Sequence, residues 1–225
     1  RDVTGVQTCA LPISFTGMAI LRLCEQKKLS LDDSVQRFFP AFPYHGITIK
    51  LLLSHRSGLP NYSYFMDSLF DKKKKMTNQD VLTAMINHKP PVSFAPDTHF
   101  NYSNTNFMLL ALIIEKITGT AFPDYMKQTV FDPLGMTDTT FWPNEIQEKR
   151  IATSYKPNAD KSDLEAMQVS QLHYPLHEHI RQPMPAGGLY STAADVAKFC
   201  QMLLNVGQFN GKRYISEASL KQLQT

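Results

Sequence analysis

The feature that most constrains this chain is a run of eight consecutive apolar residues, Phe107 to Ile114. A helix that is apolar on every side must be buried, either inside a protein or inside a membrane. A membrane-spanning helix needs about 20 such residues, so this run predicts a buried helix, which Gly119 ends. Phe15 to Lys28 carries a similar pattern and predicts a second one. We therefore expect the protein to fold around two internal helices.

Local start patterns predict the other elements. Thr77 to Asp80 and Thr192 to Asp195 are typical of helix N-caps, and Ser30 to Asp33 indicates a short helical turn. Strand patterns are sparse, since Gly46 to Lys50 is one candidate and Gly211 to Ile215 is another. Helix is therefore expected to exceed strand by a wide margin.

Charge and targeting patterns weigh against several classes of protein. The chain has 23 basic and 20 acidic side chains, and a net charge of +3 is too small to indicate a nucleic-acid partner. The one dense basic run, Lys72 to Lys75, is interpreted as a solvated loop. The sequence contains no basic-then-apolar leader. We expect no nucleic-acid partner and no membrane span in these residues.

The first thirteen residues differ in kind from the rest. The string from Val3 to Ile13 is similar to the translation of a common adapter from DNA sequencing libraries. We therefore divide the chain into an adapter-like, non-native segment, residues 1–13, and a partial domain, residues 14–225. On this interpretation the natural sequence starts at about Phe15.

Five segments follow one another along residues 15–225 in an order that is typical of one family. They are Phe15–Ile20 with Leu29–Asp33, Leu52–Pro60, Phe100–Phe107, Phe131–Met136 and Pro185–Thr192. Together they resemble the serine β-lactamase-related and penicillin-binding-protein-like hydrolases, in the branch with class C β-lactamases and D-alanyl-D-alanine carboxypeptidases. The resemblance implies an α+β fold of the β-lactamase/transpeptidase type. This chain would hold mostly its helical region with little sheet, because the family's first and last strands lie outside residues 1–225.

The resemblance also implies a chemistry. These enzymes acylate a serine with an amide or ester substrate (a β-lactam, a D-alanyl-D-alanine peptide or an ester), and water cleaves the acyl-enzyme. The serine stands in a Ser-x-x-Lys motif at the start of the buried helix, one turn from its lysine. Tyr102 corresponds to a phenol that can take the serine's proton, and Asn104 to an amide that binds substrate and lysine. Gly187 and Gly188 correspond to a wall of the substrate site. No cofactor is implied.

The sequence departs from the family at the nucleophile. Counted back from Phe15, the family's serine falls at Ala10 and its lysine at Ile13. Ser14 cannot substitute, because Gly17 stands where its lysine would be, and no serine in the chain has a lysine three residues later. The family's last motif, Lys or His, any residue, then Gly, is also absent, together with its oxyanion-hole backbone. The parent is expected to be an enzyme and this chain to be inactive.

Each of these site residues also has a structural interpretation. Tyr102 can be a buried aromatic residue before a helix that Asn104 caps, although Asn106 is the better candidate for the cap. Gly187–Gly188 can be a simple turn. His55 is expected to be a hydrogen-bonded structural histidine without a catalytic role.

Two other functions remain open. A non-catalytic, ligand-binding member of the same fold is the main alternative, because a fold does not by itself determine a function. A metal-dependent hydrolase would use His173, His177, Glu178 and His179, but Pro175 interrupts any helix that would align them, and we expect no metal site. The family favours a location in the periplasm or cell envelope, while the oligomeric state is not indicated.

Overall fold

The computed structural model describes residues 11–70, 76–153, 155–158, 162–166 and 188–222. Helix dominates this part of the chain, as the sequence predicts. The helices are α1 (Leu11–Glu25), α2 (Val35–Phe38), α3 (Ile49–Leu53), α4 (Tyr62–Leu69), α5 (Asn78–His88), α6 (Asn104–Thr118), α7 (Phe122–Met126) with a π-helical continuation (Lys127–Phe131), α8 (Glu145–Glu148), α9 (Ala193–Leu204) and α10 (Glu217–Gln222).

The strands are short and form two antiparallel hairpins. β1 (Tyr155–Pro157) pairs with β2 (Leu164–Ala166), and β3 (Gln208–Phe209) pairs with β4 (Lys212–Arg213). The strand predicted at Gly211 to Ile215 is thus confirmed in a shorter form. Within the described ranges no strand exceeds three residues, so the expected α+β fragment with little sheet is confirmed.

The two predicted internal helices form the centre of the core. Helix α1 contacts helix α6, and Phe107 to Ile114 are at most 7% exposed along α6. The Phe15 ring lies 4.2 Å from the Phe199 ring and 5.5 Å from the Phe131 ring, centroid to centroid. Complete burial of one such side chain stabilises the fold by about 1.5–3 kcal/mol. The apolar pattern of both helices therefore serves internal packing.

Helix α1 begins before Phe15. Its first residue is Leu11, and the Thr16 hydroxyl donates to the carbonyl of Pro12 at 2.8 Å. A proline is tolerated in the first turn of a helix because no backbone N–H is required there. The last three residues of the adapter-like segment, Leu11 to Ile13, therefore continue the helix.

The strand predicted at Gly46 to Lys50 is wrong. Thr48 is instead the N-cap of α3, and its hydroxyl accepts the Leu51 N–H at 3.3 Å. The β-pairing of this segment is limited to an isolated antiparallel bridge between Thr48 and Ser34. The side-chain cap satisfies a backbone donor locally, and this contact decides the conformation more than the β-branched residues do.

The predicted helix starts have different outcomes. The capping box of Thr77 and Asp80 is confirmed, with bonds of 3.2 and 2.8 Å in the two directions. Thr192 caps α9 as expected. Ser30 donates its N–H to Asp33 at 2.7 Å in a turn, whereas helix α2 starts only after its own cap at Ser34.

Among the described helices, none is by itself long and apolar enough to cross a membrane. The pair α6 and Phe122–Phe131 passes such a test on length and composition together, with a bend of 79° between its halves.

Candidate functional site

The predicted site residues Tyr102 and Asn104 lie at the N-terminal end of α6. Ser103 occupies the N-cap position with an extended backbone and no side-chain cap bond, and Asn104 is the first helical residue. The prediction that Asn106 caps this helix is wrong, because Asn106 lies inside the helix and is fully buried. Tyr102 is 42% exposed, so it is not the buried aromatic residue of the structural interpretation.

His55 holds the chain just before α6. Its carbonyl accepts the Asn101 N–H at 2.9 Å, and its Nδ1 accepts the Ser103 N–H at 3.3 Å. Its ring centroid lies 4.6 Å from that of Tyr102 and 5.1 Å from that of Phe107. His55 is 8% exposed, and burial lowers its pKa. The expectation that His55 is hydrogen-bonded is confirmed.

Asn106 completes a buried polar network with His55. The Ser57 hydroxyl donates to Asn106 Oδ1 at 2.6 Å, and Asn106 Nδ2 lies 3.2 Å from His55 Nδ1. Ser57 Oγ also accepts the Leu59 N–H at 3.1 Å. Sequence reasoning did not predict the contact between Ser57 and Asn106, because the two residues lie about fifty positions apart and no local pattern encodes it.

A second set of contacts ties the segment after His55 to the chain before Tyr102. The Asp97 N–H donates to the Arg56 carbonyl at 2.8 Å, and Arg56 Nε donates to Asp97 Oδ1 at 2.6 Å. The Ser93 N–H donates to the Gly58 carbonyl at 2.8 Å. Gly58 has a φ of +74°, and a Cβ atom there would lie 2.1 Å from the carbonyl oxygen of Phe94. Only glycine fits this close approach.

Two oxygens of the Tyr102–Asn104 segment are buried without a hydrogen-bond partner, as is Asn78 Oδ1 at the start of α5. The two in the segment are Ser103 Oγ and Asn104 Oδ1. A buried polar atom in this state costs about 1–3 kcal/mol, so each case needs an explanation such as a catalytic or binding role. Both atoms belong to the segment that the sequence singles out.

In the described part of α1, no serine has a lysine one turn further along the helix. Ile13, at the position of the family's lysine, is partly buried and packs against the core. Ser14 is exposed. Ala10, at the position of the family's serine, lies outside the described residues. Because α1 contacts α6, the two predicted halves of the site are on packed helices. A common cleft for Tyr102, Asn104 and the start of α1 stays a prediction.

The predicted glycine pair is described at only one position. Gly188 is partly buried with a φ of +80°, which fits a turn, while Gly187 lies outside the described residues. Two residues on, Tyr190 and Thr140 exchange backbone hydrogen bonds of 2.8 and 2.9 Å. A place for Gly188 on the wall of the same cleft stays a prediction.

The predicted histidine cluster is likewise not described. His173, His177, Glu178 and His179 all lie outside the described residues. Within the ranges that the structure describes, no three His, Cys, Asp or Glu side chains are grouped as a metal site requires.

Known proteins match most of the chain in sequence or in structure. Penicillin-binding protein 4* of Bacillus subtilis (strain 168) is 37% identical over 145 residues, which are 64% of this chain and 32% of that protein. The penicillin-binding protein from Bacillus halodurans has a TM-score of 0.75 at 26% identity, over 99% of this chain and 63% of its own. The D-amino acid amidase from Ochrobactrum anthropi SV3 has a TM-score of 0.72 at 27% identity, over 96% of this chain and 58% of the amidase chain.

The chain therefore spans about a third of the length of the curated relatives that it matches. The family model described as Beta-lactamase matches residues 9–225, which include the described core, the Tyr102–Asn104 segment and the start of α1. By this match, and by the fold of its solved neighbours, the chain belongs to the Beta-lactamase family, whose members include penicillin-binding-protein homologues.

Proposed function

We propose that residues 14–225 are part of a serine hydrolase whose active-site serine is acylated by an amide or ester substrate and freed by water. The substrate is a small molecule or peptide of the β-lactam, D-alanyl-D-alanine or ester type. We further propose that residues 1–13 are foreign to the natural protein and that the chain with Ala10 and Ile13 does not perform the reaction.

The observation that carries the proposal is the unpaired, buried Oδ1 of Asn104. An amide oxygen held out of water at a cost is expected where a donor arrives with a substrate or from a catalytic side chain. A lysine ammonium has three donors to offer, whereas Ile13 has none. The orphaned oxygen therefore fits a site built for Ser-x-x-Lys in which the lysine position is now apolar.

Tyr102 supplies the second argument. Its phenol is partly exposed, as a group that meets a substrate must be, while its ring packs against buried His55. A tyrosine titrates near pH 10, so it can accept the serine's proton only beside positive charge, which the lysine provides. In this chain the lysine position is occupied by Ile13, which carries no charge.

The inactivity of this chain follows from the same residues. Ala10 has no hydroxyl to attack a carbonyl carbon, and Ile13 has no ammonium. Ser14 is exposed on α1, but Gly17 stands one turn further along the helix. Covalent acyl transfer needs a nucleophile with a base within about 3 Å, and this pairing cannot form.

Covalent labelling tests the proposal. The chain is incubated with a fluorescent penicillin or a nitrophenyl ester, and acylated protein is followed on a denaturing gel. We expect labelling of the chain at background level, and also of the Ala10→Ser/Ile13→Lys double variant, because the family's last motif is absent. The uninterrupted parent protein, with Ser and Lys at these two positions, is expected to label.

The matched controls separate the alternatives. Replacing the nucleophilic serine of the parent by Ala should abolish its labelling, and replacing Tyr102 by Phe should slow it by about 10²–10⁴-fold, the usual contribution of a positioned base. Specific labelling of a serine in the unmodified chain would refute its inactivity. A parent protein that binds either reagent without becoming acylated would favour the non-catalytic, ligand-binding alternative.

A further inference from the structure

We infer that His55 is a positioning residue, which uses the lone pair on Nδ1 and the face of its ring to fix the Tyr102–Asn104 segment. The importance of His55 for a reaction rests on the proposed function, whereas the contacts that His55 makes do not depend on it. His55 reaches three successive residues of this segment: its carbonyl binds Asn101, its ring packs on Tyr102, and its Nδ1 binds Ser103.

The backbone of His55 gives the first indication that the side chain has a specific role. Its φ is +55°, a left-handed conformation that few residues other than glycine adopt. Such a conformation is strained for a residue with a Cβ atom and persists where the surrounding contacts over-determine it. Three residues on, Gly58 takes a similar φ of +74° without that strain. The strained backbone at His55 therefore persists because the His55 ring takes part in the hydrogen-bond network with Asn106 and Ser103.

The hydrogen-bond directions determine which ring nitrogen carries the proton. The Ser57 hydroxyl donates to Asn106 Oδ1 at 2.6 Å, and Asn106 Nδ2 faces His55 Nδ1 at 3.2 Å. A side-chain NH₂ can only donate, and so can the backbone N–H of Ser103. Both meet Nδ1, which must therefore be an acceptor. His55 is then neutral, with its proton on Nε2.

This arrangement controls where α6 starts. Ser103 holds an extended backbone (φ −140°, ψ 122°) without a cap bond from its own side chain. Its N–H is one that no helical carbonyl satisfies, and Nδ1 of His55 accepts it instead. The direction in which the chain enters the helix at Asn104 therefore depends on the histidine, and so does the placement of the phenol of Tyr102.

Nuclear magnetic resonance of the ¹⁵N-labelled chain tests the inference directly. At pH 7.5 we expect the ring nitrogens of His55 to show the neutral Nε2–H tautomer. We also expect a ¹⁵N–¹⁵N coupling across the hydrogen bond between the Ser103 amide and His55 Nδ1. A proton on Nδ1 would overturn the inference. So would the absence of the coupling in spectra that resolve both nitrogens.

A pair of variants separates positioning from packing. His55→Asn and His55→Gly both tolerate the left-handed backbone and both lose the ring, but only Asn keeps an acceptor near the position of Nδ1. We expect hydrogen exchange of the Ser103 amide to accelerate by roughly tenfold or more in His55→Gly, the effect of losing one hydrogen bond. His55→Asn should restore most of the protection.

Equal acceleration in both variants would mean that the ring serves packing alone and would overturn the inference. Neither measurement requires acyl transfer. A parent protein that fails to label while the Ser103–His55 coupling is present would refute the proposed reaction and leave the positioning role intact. Labelling of the parent without the coupling would support the proposed reaction and refute the positioning role of His55.

Discussion

The two sides of the candidate site differ in how completely their polar atoms are paired. On one side, Ser57, Asn106 and His55 form a buried chain of hydrogen bonds at 2.6–3.3 Å. On the other side, Asn104 Oδ1 is buried and unpaired, and Ile13, at the sequence position predicted for the lysine, is partly buried on helix α1. Asn104 and Asn106 lie two residues apart on α6 and therefore face different surroundings.

The difference distinguishes residues that hold a site in place from residues that would meet a ligand. A fully satisfied buried network makes a structure rigid and unique, whereas an unsatisfied atom is costly unless a partner arrives. On the proposed function, the His55 side would be the scaffold of the site. The Asn104 side is where a ligand or a catalytic side chain is expected. Four measurements can break or sharpen this comparison.

The largest effect is expected on the scaffold side at Gly58. The Gly58→Ala substitution would place a Cβ atom 2.1 Å from the Phe94 carbonyl oxygen at a φ of +74°, and should lower the free energy of unfolding by about 3 kcal/mol or more. Gly46→Ala is the matched control, because Gly46 also has a φ of +74° but open space around its Cβ position. It should cost about 1–2 kcal/mol. Urea unfolding of both variants provides the measurement, and equal losses would contradict the close approach.

Asn106→Leu should have the next largest effect. It removes the acceptor of the Ser57 hydroxyl and one of the two donors to His55, and leaves a buried O–H without an acceptor. The expected loss is about 2–3 kcal/mol in the free energy of unfolding. Asn101→Leu is the control, because the Asn101 side chain is exposed and its backbone bond to His55 is kept. A neutral effect of Asn106→Leu would show that the network does not stabilise the fold.

Acid should weaken the same network. Burial lowers the pKa of His55 below its ordinary value of about 6.5, so the unfolded chain binds the proton first as the pH falls. Stability contributed by neutral His55 is present above pH 6.5 and is lost as the pH falls from 6.5 towards the folded pKa. The loss is at most about 1.4 kcal/mol per pH unit. Thermal unfolding at pH 7.5, 6.5 and 5.5 measures this loss. In His55→Asn, the free energy of unfolding should depend less steeply on pH over this window. An unchanged slope would assign the effect to other groups.

The smallest effect is expected on the unpaired side. Asn104→Leu removes a buried oxygen that has no partner, so the free energy of unfolding should stay within about 0.5 kcal/mol of the original value or rise by up to about 1 kcal/mol. The contrast with Asn106→Leu is the decisive quantity, because both substitutions are identical in chemistry and lie on one helix. Equal losses at the two positions would remove the distinction between scaffold and site.

The sequence by itself determined the elements that depend on local chemistry. The apolar pattern of Phe107 to Ile114 predicts a buried helix because such a surface cannot face water, and Thr77 with Asp80 predicts a helix start because both partners lie within one turn. The order of the motif segments identified the family. The wrong strand at Gly46 to Lys50 shows the limit of this reasoning, since one capping bond from Thr48 overrode the β-branched pattern.

Only the tertiary structure decided which polar residues meet. Asn106 seemed from its neighbours to be a cap, but it bonds with Ser57 and lies against His55, about fifty residues away. The same structure leaves Oδ1 of Asn104 without a partner. A hydrogen bond between distant residues depends on the packing of whole helices, here α6 against α1 and α3. No local pattern contains that information, because folding alone brings the donors and acceptors within 3 Å of one another.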